Sequence, residues 1–421
     1  MKKLLFTAIT ALFVVVAVAQ DQPKFGIDFT GFVKTDIIWD SRQTTSIREG
    51  HFLLFPLNEQ IDANGDDINK KANFNFLNVQ TRLHGKISGP DAFGAKTSGL
   101  IEAEFFGTSD ADVNGFRLRH AFVKLNWTKT ELLVGQFWHP LFNVNCFPGV
   151  VSFNTGAPFT PFTRNPQIRL TQKLGKSFNL SFAALSQRDF VSNGPDGPNS
   201  KYLRNSAVPA MNLQFEYGMK NKKETIEVLA GVMGNYKMLT PRLVTQNNVK
   251  TTEKVSSMTI MGYAKARFWG FTIKIGEIFT QDAHDLTMLG GYAVKDVTNT
   301  ETREVNYVPS NVYSQWVEYV YAQKNWEIGL FAAYSKNLGY GTDLTTSYNP
   351  DETKAIYARG ANIDHLYRIA PRFVYNAGKF RIAPEIEYTV AGYGTTQSDG
   401  TVKDAKDIGN FRFLTGVYYF F

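Results

Sequence analysis

From Phe25 onward, apolar and polar side chains alternate with a period of two rather than 3.6, the mark of strands with one apolar and one polar face. Ile382, Pro384, Ile386 and Tyr388 share one face of such a stretch, and Ala383, Glu385 and Glu387 the other. The runs 178–184 and 209–217 repeat the pattern. It predicts sixteen strands: 25–40, 73–87, 97–107, 115–127, 131–139, 165–174, 178–187, 207–218, 224–236, 255–268, 271–280, 311–322, 326–335, 363–375, 380–392 and 409–421. Pro209, Pro371 and Pro384 fall within them and each lacks a ladder donor, so bulges are expected there or at the strand ends.

Every second connection is short: 128–130, 175–177, 269–270, 323–325 and 376–379, with 88–96 the longest of this set. Those between are mostly long and polar: 41–72, 140–164, 188–206, 237–254, 281–310, 336–362 and 393–408, with 108–114 brief. A soluble sandwich has no reason to alternate in this way. A 16-stranded antiparallel transmembrane β-barrel does, with short periplasmic turns and long extracellular loops. Lipid offers backbone groups no hydrogen bonds, so a spanning sheet must close on itself. The apolar face then meets lipid and the polar face the lumen. Trp39, Trp127, Trp138, Trp326, Tyr375, Tyr388 and Tyr419 are placed to form interfacial girdles.

The two ends fit an exported barrel. Met1-Lys2-Lys3, an apolar stretch to Ala19 and the small-residue site Ala17-Val18-Ala19 read as a signal peptide over 1–19. The apolar run is shorter than a spanning helix needs. Residues 20–421 would then form one barrel domain. The last strand alternates through Phe411, Phe413, Val417 and Tyr419 to Phe421, and resembles the terminal strand by which the assembly machinery recognises outer-membrane barrels.

Composition narrows the function. The formal charge is +7, two of it from Lys2 and Lys3. The single Cys146 excludes a disulfide framework and a cysteine zinc site, and six scattered histidines make no HExxH. No cofactor or metal is expected. Aspartates at 62, 66 and 67 could wrap calcium within loop 41–72, but Gly65 comes too early for an EF-hand. Enzyme readings are thin: Ser192-Asn193-Gly194 has no nearby histidine, and His284 beside Asp282 and Asp285 reads as a loop cluster.

On the inward phase, basic residues outnumber acidic ones. An outward arginine at mid-depth would cost about 2–4 kcal/mol, so these side chains imply a wet lumen. The pore-lining candidates are Lys34, Arg82, Glu102, Glu104, Arg117, Arg119, Gln136, Gln167, Arg169 and Arg372. Two readings compete for Arg82, Arg117, Arg119 and Arg169. They form a cationic stripe that draws anions, or Glu102 and Glu104 neutralise them. The third long connection, 140–164, has no Asp or Glu and is rich in Phe. Folded inward, it would make an apolar constriction suited to a small anion with an apolar body, such as a carboxylate. His120, Lys124 and Glu277 fall on the outer phase and demand a bulge or an interfacial position.

Phe116-Arg117-Leu118-Arg119-His120-Ala121-Phe122-Val123, followed by Leu133-Val134-Gly135-Gln136-Phe137-Trp138, resembles paired strands of Gram-negative porins. With Val79–Leu83 and Asn165–Leu170 it is similar to the DcaP-like outer-membrane transporters and to porin-like proteins of Bacteroidota. The resemblance implies a homotrimer, an inward-folded third loop and passive uptake of small, often anionic solutes. It carries a pore-lining role to Arg82, Arg117, Arg119, Gln136 and Arg169. The acidic third loop of general porins is missing here. The rival reading is a non-channel surface barrel acting as an adhesin or structural protein.

Overall fold

The computed structural model describes residues 25–223, 225–345 and 356–421; the expected signal segment lies outside them. The wall strands are β1 (Gly26–Asp40), β2 (Asn73–Leu77 and Arg82–Ser88), β3 (Lys96–Glu104), β4 (Arg117–Asn126), β5 (Thr130–Trp138), β6 (Arg164–Leu174), β7 (Phe178–Leu185) and β8 (Ala210–Lys220). They continue as β9 (Ile226–Leu239), β10 (Val255–Phe268), β11 (Phe271–Gln281), β12 (Asn311–Ala322), β13 (Trp326–Asn337), β14 (Ile363–Ala377), β15 (Phe380–Thr396) and β16 (Val402–Phe420). β2 is one strand in two halves, both paired with β1. Each strand runs antiparallel to its neighbours in sequence. Phe32 opposite Phe420 and Asp40 opposite Arg412 join β1 to β16, so the sixteen-stranded sheet closes and no edge is left unpaired.

The alternation sorts the faces as lipid and water require. On β1, Ile27, Phe29 and Val33 are exposed on the outside, while Lys34, Asp36 and Asp40 are buried inside. On β16, Phe411, Phe413 and Tyr419 point out and Arg412 points in.

Four details depart from the pattern read along the chain. Pro371 and Pro384 cause no bulge, since the register runs through both unshifted; a residue that donates nothing at one rung needs no extra residue opposite. The connection expected over 393–408 shrinks to 397–401, because β15 and β16 continue as a paired ribbon. Trp138 does not join the outer girdle but stacks on Phe142 at 3.9 Å inside the barrel. Three long connections build two small sheets: Thr44–Ile47 with Phe52–Pro56 in the first, and Gly290–Asn299 and Glu304–Pro309 of one joined by Ile356–Arg359 of the next.

The expected bulge is real and lies in β4. Glu102 faces His120 but Ala103 faces Leu118, so Arg119 is the extra residue. Arg119 and His120 are therefore both buried on the inside. Past the bulge, Lys124 shares the inward phase and pairs with Glu131 at 3.0 Å. Glu277 stays on the outer face between exposed Ile275 and Phe279 and accepts a hydrogen bond from the Tyr313 hydroxyl.

Candidate functional site

The connection from β5 to β6, residues 139–163, lies inside the barrel. Its apolar side chains Leu141, Phe142, Phe153, Phe159 and Phe162 join one buried cluster with inward wall residues such as Ile38, Trp316 and Phe331. Its backbone is tied to the far wall. The Gly149 N–H donates to Glu318 at 2.6 Å, and those of Val151 and Ser152 donate to Glu385 at 2.8 and 2.9 Å. Asn154 reaches Glu387 at 3.2 Å, and the Arg368 guanidinium donates to the Ala157 carbonyl at 2.8 Å. A segment without acidic residues thus borrows its carboxylates from the wall, which satisfies peptide groups that would otherwise be buried unbonded.

The hairpin within 41–72 folds down onto this segment. Phe52, Leu53, Leu54 and Phe55 are all buried, and the Phe52 ring packs 4.9 Å from that of Phe162. Arg48, Glu49 and Gly50 take positive φ at the hairpin tip. That turn brings the Gly50 carbonyl to Arg412 at 2.7 Å and His51 to Asp36 at 2.8 Å. Sequence reading missed this inward hairpin; the one clue was the apolar run Phe52–Phe55 inside a connection taken as polar. The aspartate-rich part lies farther along, where the Asp62 carboxylate accepts from the Asn64 and Asp66 N–H groups of its own turn.

Seven charged groups from β2, β3, β4, β6 and the connection after β7 meet on one side. Glu104, fully buried, accepts from Arg82 at 3.0 Å, Arg117 at 2.8 Å and Arg119 at 2.6 Å. Glu102 pairs with Arg119 and lies 3.7 Å from Arg82. Asp189 takes Arg117 at 3.1 Å and Arg164 at 2.7 Å. Burial pushes the Asp189 carboxyl up, but Arg164 and Arg117 outweigh it and hold it below the usual range. Four guanidiniums against three carboxylates form a paired network with one net positive charge. Arg164 and Asp189 were not singled out beforehand, because only the fold brings residue 189 beside residues 117 and 164.

Arg169 stands apart. It donates to the Trp138 carbonyl at 2.7 Å and the Gln167 Oε1 at 2.9 Å, with no carboxylate in ion-pair reach among the described residues. Gln167 in turn donates to the Phe137 and Trp138 carbonyls. Gln136 donates to the Arg119 carbonyl at 2.8 Å and supports the bulge rather than lining the cavity beside it. Lys34 is fully buried, 2.9 Å from Asp36, and donates to Gln80 and to the Val151 carbonyl.

Two cavities flank the inward segment. One of about 270 Å³ has a polar wall of Gln80, Arg82, Glu102, Arg119 and His120 facing Trp138, Phe142, Phe147, Phe153 and Phe162. The other, about 430 Å³, lies toward the short turns. Its lining holds Lys265, Arg267, Lys274, Arg372 and Arg381 against Glu227 and Glu327. Glu318, buried behind, pairs with Lys274 and Arg372, each at 2.8 Å. Arg381 has no carboxylate partner among the described residues and lies over the Tyr418 and Phe420 rings.

Two buried histidines brace the inward segment. His139 accepts the Leu141 N–H at 3.1 Å. His284 donates to the Val191 carbonyl, next to Leu286, whose own carbonyl takes the Phe162 N–H at 2.8 Å. Burial pushes both imidazoles down to about 3. Asp285 beside them is taken by Lys237 at 2.6 Å, so this cluster is a latch between connections.

No family model and no curated protein matches the chain. Among solved structures, the outer membrane channel DcaP of Acinetobacter baumannii superposes with a TM-score of 0.67, over 94% of this chain and 97% of that one. This is the porin fold. Sequence identity to DcaP is 15%. An outer membrane protein of Vibrio cholerae, OmpT in a trimer form, follows at TM-score 0.53 and 12% identity over 94% and 99% of the two chains. An anion-selective porin from Comamonas acidovorans gives 0.52 and 12% over 94% and 100%. With its apolar outer face, this porin-fold chain is an integral outer-membrane β-barrel.

Proposed function

We propose that the protein is a passive outer-membrane porin for small hydrophilic solutes, with a preference for anions, in which residues 140–164 set the constriction. One observation carries the reading: a segment without carboxylates crosses the lumen between two cavities, and below it basic side chains outnumber carboxylates beside open water. Low-dielectric walls keep field lines within such an aqueous path, so a small excess of fixed positive charge enriches anions. The smaller cavity, with charged groups on one wall and aromatic rings on the other, suits a carboxylate with a compact apolar body. The Comamonas neighbour, an anion-selective porin, supports the same direction.

The proposal includes cleavage after Ala19, assembly through the strand ending at Phe421, and a homotrimer in the membrane; the trimer form of the Vibrio neighbour supports the last. The test is planar-bilayer conductance of the purified protein with reversal potentials in a potassium chloride gradient. Chloride preference is expected. Potassium preference overturns the selectivity. Absence of conductance overturns the channel and favours a surface barrel without transport.

A further inference from the structure

Outside the lumen, the wall carries a second feature that transport leaves unexplained. A groove of about 550 Å³ runs across β5, β6 and β7 where they approach the long connections. Its floor is the outward row Val134, Ile168 and Ala184, three residues level with one another across the strands. Val134 and Ile168 are exposed. Its roof is the segment Leu203 to Pro209, which overhangs from the short helix Lys201–Asn205.

One arginine lines this groove, and a second follows its lining residue Ser186 closely in the chain. Arg204 lines the groove and its side chain is exposed. Arg188 lies two residues past Ser186, another lining residue. Its neighbours Gln187 and Asp189 both bond inward, to Asp285 at 2.8 Å and to Arg164, while Arg188 itself is exposed. Neither arginine has an ion pair among the described residues, although Lys201 on the same helix pairs with Asp196 at 2.5 Å. An apolar slot in a lipid-facing wall takes an acyl chain. A pair of unneutralised guanidiniums above it takes a phosphate, which arginine binds through paired N–H donors.

We propose that this groove is a binding site for a phosphorylated, acylated glycolipid of the outer leaflet, one acyl chain lying on Val134 and Ile168 and a phosphate meeting Arg204 and Arg188. The leaflet follows from the groove's position at the end with the long connections, which face outward in barrels of this kind.

The test is native mass spectrometry of the detergent-purified full-length barrel titrated with purified lipid A. The expected result is a stoichiometric adduct whose apparent affinity falls at least tenfold in R188E/R204E. Heat-modifiable migration and conductance should stay unchanged, since neither side chain touches the lumen. K403E/K406E, at exposed positions on β16 away from the groove, serves as the control for general surface charge. An equal loss in the control, equal binding by the two-arginine variant, or equal binding of a dephosphorylated lipid overturns the proposal. So does tighter binding of a two-chain phospholipid. A variant that fails to migrate as a folded barrel is replaced by R188Q/R204Q, for which the same tenfold criterion applies. Ile168→Trp should block the acyl slot and weaken the adduct without any change of charge; undiminished binding there overturns the acyl part.

Discussion

The two charged regions of the lumen hold similar residues and do different things. Around Glu104, four arginines and three carboxylates are packed against each other and against Trp138 and Phe106. Glu104 is 0% exposed, Arg164 1% and Arg119 2%. In the cavity toward the short turns, Lys265 and Arg267 share Glu227 at 2.7 and 3.3 Å, and the Arg267 side chain remains 43% exposed. The first cluster stiffens the wall: all but one of its charges are paired off within ion-pair reach, and only Arg82, Glu102 and Arg119 reach the cavity beside it. The second keeps charge in contact with water, where it acts on solutes within a Debye length of about 8 Å at physiological salt. Counting arginines along a strand cannot separate these roles. Burial and the number of carboxylates within reach can.

The largest effect should come from breaking the first region. Glu104→Gln leaves four guanidiniums against two carboxylates in a buried site, and stripping one partner from such a network costs about 3–5 kcal/mol. The variant should lose heat-modifiable migration, or unfold at markedly lower urea, in refolding titrations. Native-like stability would mean that the cluster is not a structural unit. Arg119→Ala, which takes one partner from each glutamate, should behave in the same way. Arg169→Ala removes no ion pair and should leave assembly intact.

The second region should yield selectivity instead of stability. R267A/R381A is expected to lower the chloride-to-potassium permeability ratio several-fold while the barrel still migrates as folded. Reversal potentials give the ratio directly, and an unchanged value would move the selectivity determinant elsewhere in the lumen. In the parent protein, anion preference should weaken between 0.1 and 1 M salt, as the Debye length contracts from about 10 to 3 Å.

Acid should act on the seat of the inward segment. His139 and His284 are neutral when folded, with imidazoles pushed down to about 3 by burial. In the unfolded chain they take up protons near pH 6.5. Their contribution is therefore complete above that value and is lost as pH falls from 6.5 toward 3, at about 1.4 kcal/mol per pH unit for each histidine. Single-channel recordings should grow noisier below about pH 5, and His139→Gln should shift that onset to lower pH. The smallest expected effect is steric. Phe147→Ala trims one aromatic wall of the 270 Å³ cavity and should raise conductance modestly without altering ion preference.

Much of the architecture was legible in one dimension. Strand number, closure through the residues up to Phe421 and the outward apolar face all follow from a period of two, because a two-sided sheet in lipid has one way to hide its polar groups. The inward turn of 140–164 was also readable from its lack of carboxylates and its phenylalanines. Other features needed three dimensions. Asp189 had to arrive from another connection before Arg117 and Arg164 could be neutralised. Trp138 had to turn inward to stack on Phe142, and the run Phe52–Phe55 had to leave the surface for Phe162. Alternation along a strand is a local property, set by the pleat and by the solvent on each side. Which carboxylate meets which arginine depends on chain segments remote in sequence, and only the closed barrel with its infolded connections decides that.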